Sequence, residues 1–319
     1  MVSPPPSALP RAVRIREVGP RDGFQNEPEV IATERKVELI EALARTGIRR
    51  LEVTSFVRAD VIPQLADAAE VLAAIEISPE VSLSVLIPNE RGLENALEVL
   101  ERSAGARPAF DEVNVFLSAS ETHNRKNVNR SIAESLAGVE AVLGRARGAG
   151  LRCEGVISTS FGCPYEGRVA PERVLGIAAQ LRDAGAQEVG FGDTTGMANP
   201  LQVREFFIRA RAELGDELEL TAHFHNTRGQ GLANVLAALE AGIDSFESSF
   251  GELGGCPVPA GATGNIASED LVSMLAEMGI ETGIDLPALV ACARRVQDIL
   301  GRPLGSHTLV AGPVDWTRR

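Results

Sequence analysis

His223 and His225, two of the four histidines in the chain, are separated by one residue at the end of a β-type run, Glu219–His225. Residues two apart on a strand project to the same side, so both imidazoles can point at one spot. They read either as a hydrogen-bonded structural pair or as two ligands of a metal ion. Asp22, at the end of the first β-type run, offers a carboxylate, and Asn265, in a Gly-rich segment, offers an amide oxygen. Together they form a mixed nitrogen and oxygen donor set, suited to Mg²⁺, Mn²⁺, Co²⁺ or Zn²⁺ rather than to a soft thiophilic ion. Arg21 reads as a salt bridge or as a fixed donor for an enolate or carboxylate oxygen. Glu52, inside an apolar run, is either one half of an internal ion pair or the group that holds Arg21. Cys256 sits among Gly251, Gly254, Gly255, Gly261 and Gly264. A lone loop cysteine is more often inert than catalytic, and the same holds for Cys163. His123 and His307 read as surface or substrate-edge residues.

These groups are far apart in sequence, so the elements between them must bring them together. Eight β-type runs recur: Val13–Val18, Arg50–Ser55, Ser82–Ile87, Glu112–Leu117, Arg152–Ser158, Glu188–Gly192, Glu219–His225 and Ile243–Ser248. Helical patterns alternate with them over Thr33–Thr46, Ile62–Ile75, Glu90–Arg102, Ile132–Gly148, Pro171–Ala184, Pro200–Leu214 and Gly229–Ala241, several closed by Gly47, Gly185 or Gly242. Eight alternations predict a (β/α)8 TIM barrel, an α/β fold. An open dinucleotide-binding sheet is the competitor, and its glycine fingerprint is missing after the first run. Barrel sites lie at the C-terminal ends of the strands, where Asp22, Thr54, Asp193, His223 and His225 fall. Two extra C-terminal helices are expected over Ser268–Met278 and Leu286–Leu300.

The chain has 319 residues, 44% of them hydrophobic and 24% charged, with a net charge of −13. That acidity argues against general nucleic-acid binding, which needs a cationic face. It leaves room for an anionic substrate, because a few local arginines or a metal can reverse the field inside a cleft. No apolar stretch approaches the roughly 18 residues of a membrane span. Four scattered cysteines, Cys153, Cys163, Cys256 and Cys292, fit a reducing, cytoplasmic setting. Met1 to Pro10 read as a flexible arm, and residues 11–319 as one barrel domain with a C-terminal helical extension.

A series of segments then carries a resemblance: Glu17-Val18-Gly19-Pro20-Arg21-Asp22-Gly23-Phe24-Gln25-Asn26-Glu27, Glu52-Val53-Thr54-Ser55-Phe56, Pro63-Gln64, Gly162-Cys163-Pro164-Tyr165-Glu166-Gly167, Gly192-Asp193-Thr194-Thr195-Gly196, His223-Phe224-His225-Asn226-Thr227, and Gly254-Gly255-Cys256-Pro257 followed by Gly264-Asn265. In order and spacing, from about Val13 to about Met278, the chain resembles the 3-hydroxy-3-methylglutaryl-CoA lyases of the DRE-TIM metallolyase group. The resemblance implies a divalent ion, Mg²⁺ or Mn²⁺, held by Asp22, His223, His225 and Asn265. It implies Arg21 for substrate oxygen stabilisation with Glu52 as its support, and Asp193, His223 and Cys256 in proton transfer, Cys256 on a closing loop. It further implies an acyl-CoA thioester substrate, a homo-oligomer (dimer or higher) and a role in leucine degradation and ketone-body formation.

The departures fall around the acyl group. Asn226 and Arg228 stand where the lyases usually carry Asp and Tyr, Val156 stands for a common Tyr, Glu252 interrupts a small-residue run, and Ala59-Asp60-Val61 replaces a Pro-Lys-Trp-like segment. A lyase for a citramalyl-CoA or isohexenylglutaryl-CoA type of substrate is therefore a competing expectation. A Claisen-type synthase fits less well, because those enzymes carry a long C-terminal regulatory domain. A silent scaffold barrel would have lost a ligand or the cysteine, and both are present.

Overall fold

The computed structural model describes residues 9–103, 107–255 and 264–316. Eight parallel strands, β1 (Arg14–Glu17), β2 (Arg50–Ser55), β3 (Ser82–Leu86), β4 (Glu112–Ser118), β5 (Arg152–Ser158), β6 (Glu188–Asp193), β7 (Glu219–Phe224) and β8 (Ser245–Ser248), close into a barrel in sequence order, with β1 pairing both β2 and β8. The helices are α1 (Thr33–Arg45), α2 (Ala68–Ala74), α3 (Glu90–Arg102), α4 (Glu121–Val128), α5 (Ile132–Gly148), α6 (Pro171–Asp183), α7 (Pro200–Leu214), α8 (Gly231–Glu240), α9 (Ser268–Glu277), α10 (Leu286–Leu300) and α11 (His307–Ala311). The expected TIM barrel is the observed fold. No described helix is long and apolar enough to cross a membrane.

Strand alternation divides the chain chemically. Val113, Val115, Leu117, Val189, Phe191, Leu220, Ala222 and Phe224 are buried in the apolar core. The alternate residues meet instead in a buried ionic network. Arg16 on β1 bonds Glu112, Glu154, Glu188 and Glu247 from four other strands, and Arg50 bonds Glu112, Glu188 and Glu219. A barrel interior usually packs Val, Ile and Leu. Here charge fills it, and removing one partner from such a network costs about 3–5 kcal/mol.

Three local departures from the expected elements have physical reasons. The first strand stops at Glu17 and the chain folds into a helical turn, Gly19–Gly23, so Asp22 sits on that turn rather than on a strand. The helix expected over Ile62–Ile75 shortens to Ala68–Ala74 behind a separate turn at Pro63–Leu65, where the proline sets φ. Helix α4 was not expected, because its residues are almost all polar. The Ser120 side chain accepts from the His123 amide at its start, and Asn129 ends it at φ 54°.

Candidate active site

At the mouth of the barrel, His223 projects from β7, and His225 follows just beyond in an isolated bridge with Asn265. Two further backbone bonds fix that bridge: Asn226 N to Gly264 O at 3.1 Å and Ile266 N to Phe224 O at 3.0 Å. The two Nε2 atoms lie 3.1 Å apart. One ligand atom from each of Asp22, His223 and His225 falls within 4.8 Å of the others. Asn265 Nδ2 donates to Asp22 Oδ2 at 2.7 Å and to Leu253 O at 3.0 Å, while its Oδ1 is buried without a partner. The four residues singled out by sequence therefore converge. Two imidazoles, a carboxylate and an orphaned amide oxygen fit a divalent cation. Close approach also explains Gly254: at φ 90°, a Cβ there would lie 2.6 Å from Asn265 Nδ2 and 2.9 Å from Asp22 Oδ2.

Ligation needs a charged carboxylate and neutral imidazoles, and the electrostatics at Asp22 and His225 suit it. Burial opposes ionisation of Asp22, but Arg21 and then His223 outweigh it and hold the carboxyl below its ordinary range. Burial first, and then the charge of His223, push His225 down to about 3. His223 goes the other way: burial disfavours its cation, yet the hydrogen bond and charge of Glu247 raise it. Glu247 Oε2 lies 2.8 Å from His223 Nδ1, leaving Nε2 turned toward His225.

Arg21 donates through Nε to Glu52 Oε2 at 2.7 Å and through Nη1 to Asp22 Oδ1 at 2.8 Å. Burial raises Glu52 to about 7 against the pull of Arg21. Gln25 Nε2 adds a second donor to Asp22 Oδ1 at 2.9 Å. Asp193 closes β6. Its Oδ1 accepts from the Met197 and Ala198 amides at 2.7 and 3.0 Å, and its Oδ2 is buried without a partner. Burial, partly offset by those amides, pushes it up to about 7.

Arg21, Asp22, Gln25, His223, His225 and Glu247 open on a cavity of about 360 Å³, also lined by Val57, Ile62, Leu86, Asn114, Phe116, His123 and Val156. His123 is thus a buried wall residue and not a surface group. His307 lies away from the site, at the start of α11, with Nδ1 3.3 Å from Asp270. Cys163 is buried with Sγ 3.0 Å from Ser120 Oγ, outside the cavity lining. Cys256 lies outside the described residues. Sequence reading missed Glu247, Gln25 and Asn114. Glu247 sits in Ile243-Asp244-Ser245-Phe246-Glu247-Ser248, too polar a run for one glutamate to stand out; Gln25 lies inside the first motif segment without being singled out, and Asn114 is a lone polar residue between two valines.

A family model described as HMGL-like matches residues 12–296. The hydroxymethylglutaryl-CoA lyase YngG of Bacillus subtilis is 45% identical over 94% of this chain and 97% of its own length. The 3-hydroxy-3-isohexenylglutaryl-CoA/hydroxymethylglutaryl-CoA lyase of Pseudomonas aeruginosa is 43% identical over 95% and 98%. Among solved structures, the HMG-CoA lyase of A. baumannii in complex with coenzyme A and 3-methylmalate matches with a TM-score of 0.90, 39% identity, and coverage of 98% of this chain and 99% of that one. The chain belongs to the HMGL-like family, as do relatives that are hydroxymethylglutaryl-CoA lyases.

Proposed function

We propose that the chain is a divalent-metal-dependent carbon–carbon lyase that cleaves 3-hydroxy-3-methylglutaryl-CoA to acetoacetate and acetyl-CoA. The observation that carries this reading is the meeting of Asp22, His223 and His225 with Arg21 in one cavity. Asp22, His223, His225 and Asn265 would hold Mg²⁺ or Mn²⁺, which supplies Lewis acidity toward the hydroxyl and carbonyl oxygens of a hydroxyacyl group.

Asp193 takes the proton from the C3 hydroxyl. Its Oδ2 is free, whereas His223 is engaged at Nδ1 by Glu247 and offers Nε2 to the ligand cluster. The C3–O pair becomes a ketone as the C2–C3 bond breaks, and its electrons pass into the enolate of acetyl-CoA. Arg21, held by Glu52, donates to the oxygen on which that charge develops; one preorganised donor is worth about 3–4 kcal/mol. Cys256 returns a proton to C2, a role supported by the family motif Gly254-Gly255-Cys256-Pro257. Residues 11–319 act as one catalytic unit in this reading, with a homo-oligomeric cytoplasmic enzyme of leucine degradation supported by the resemblance alone.

The test is cleavage of 3-hydroxy-3-methylglutaryl-CoA by protein stripped with chelator and reloaded with Mg²⁺ or Mn²⁺. Turnover should vanish and return, and Asp22→Ala should not respond to reloading. Full activity in chelator would refute the reading. A second reading, the same chemistry on a larger acyl group, is favoured by the small side chain of Val156 in the cavity wall.

A further inference from the structure

Apart from His225 in the ligand cluster, two residues of the cavity lining, Asn114 and His123, carry a buried polar atom with no partner among the described residues. Asn114 on β4 is 1% exposed; its Nδ2 donates to Glu154 Oε2 at 3.2 Å, and its Oδ1 is buried and unbonded. His123 on α4 is 7% exposed, with Nδ1 buried and unbonded. Leaving such an atom unsatisfied costs about 1–3 kcal/mol, so two in the lining of one cavity point to a ligand group that completes them. In a closed eight-stranded barrel β4 lies across from β8. The ligand cluster comes from the turn after β1, from β7 and from the segment that follows β8. A hydroxyacyl group bound at that cluster would extend its C3 substituent across the mouth toward β3, β4 and β5, past Leu86, Phe116 and Val156.

The chemistry of the pair limits what it takes. Neither residue brings a positive charge: burial lowers His123 below its ordinary range, so it is neutral. An ionised carboxylate has no hydrogen to donate to Asn114 Oδ1, and a bare alkyl chain would leave both atoms unpaired. A hydroxyl donates its one hydrogen to Asn114 Oδ1 and accepts from His123 in the tautomer that carries the proton on Nδ1. We propose that Asn114 and His123 are specificity-determining residues and that the preferred substrate is a 3-hydroxyacyl-CoA whose C3 substituent carries a hydroxyl. This rests on the lyase reading above and deepens it.

The experiment compares kcat/KM for 3-hydroxy-3-methylglutaryl-CoA and its 3-hydroxymethyl and 3-ethyl counterparts, the last two equal in heavy atoms. The wild-type metal-loaded enzyme should favour hydroxymethyl over ethyl by at least about tenfold, the worth of one well-made hydrogen bond. The ratio should fall to one or below in Asn114→Val/His123→Phe. Because a ratio is read, a general loss of activity in the variant cancels. A wild-type ratio within twofold of one overturns the proposal without any variant, as does a preference that survives both substitutions. Cleavage of the methyl substrate with no hydroxyl preference sinks the subsite alone. If none of the three is cleaved the lyase reading fails, and calorimetric affinities of the hydroxymethyl and ethyl thioesters decide the subsite by the same tenfold criterion.

Discussion

His223 Nδ1 lies 2.8 Å from one oxygen of Glu247, and the other oxygen of that carboxylate lies 2.8 Å from Arg16 Nη1. The barrel interior thereby reaches the ligand cluster. Arg16 and His223 keep Glu247 ionised at about 2 against the cost of burial, and the ionised carboxylate fixes the proton of His223 on Nδ1. Partners of this kind orient a ligating imidazole and raise its basicity.

Glu247→Gln should therefore weaken metal affinity by roughly 10–100-fold. Titration of the apo protein with Mn²⁺ reads this directly and separately from turnover. An unchanged affinity in a folded variant would remove Glu247 from the account.

Asp193 carries the second expectation. Its folded value of about 7 is raised by burial, so it holds its proton below pH 7 and can accept one only above. As the base it makes kcat/KM climb through pH ~7, and Asp193→Asn should abolish that climb and cost about 10²–10⁴ in rate. A pH–rate profile of the variant that keeps the wild-type inflection would assign it to another group.

Much of this site was legible because its residues follow from strand geometry. His223 and His225 had to share a side, and Asp22 had to lie within reach once β1 and β7 flanked β8. The link from Glu52 to Arg21 was one of two open readings, and the pair forms at 2.7 Å. What stayed hidden depends on register. Asn114 pairs with Glu154 across β4 and β5, and Arg16 meets glutamates from β4, β5, β6 and β8. Nothing in the local sequence marks these positions as partners until the strands are laid side by side. Helix α4 was hidden for another reason. Its length carries almost no apolar periodicity, and only Ser120 and Asn129 mark its ends.

Arg21→Lys should lower kcat by about 10²–10³. An ammonium is a point charge and cannot reach Glu52 and Asp22 along two edges of one plane, as the guanidinium does. Steady-state kinetics check this. A lysine enzyme with near wild-type kcat would show that a positive charge alone suffices and that the planar fork is dispensable.

The last expectation concerns stability beneath the loop that leads to Gly254. Glu17 accepts from the Gly19 amide at 2.7 Å, the Phe250 amide at 3.1 Å and the Ser268 hydroxyl at 2.5 Å, and both oxygens of Glu269 lie 3.0 Å from the Gly251 amide. Burial dominates in both cases, raising Glu17 to about 7 and Glu269 to about 8. Between the ordinary glutamate value and these, the folded chain binds more protons than the unfolded one, so unfolding free energy falls as pH rises. The contribution is complete below about pH 4.3, the unfolded value, and is lost as pH passes through 7 and then 8. Glutamine mimics the protonated acid at every pH. Glu269→Gln should therefore flatten the decline in urea-unfolding free energy between pH 6 and pH 9, by on the order of a few kcal/mol. A variant whose stability falls with the wild-type slope would show that Glu269 is ionised in the folded protein across that range, and that the Gly251 amide is enough to hold its charge.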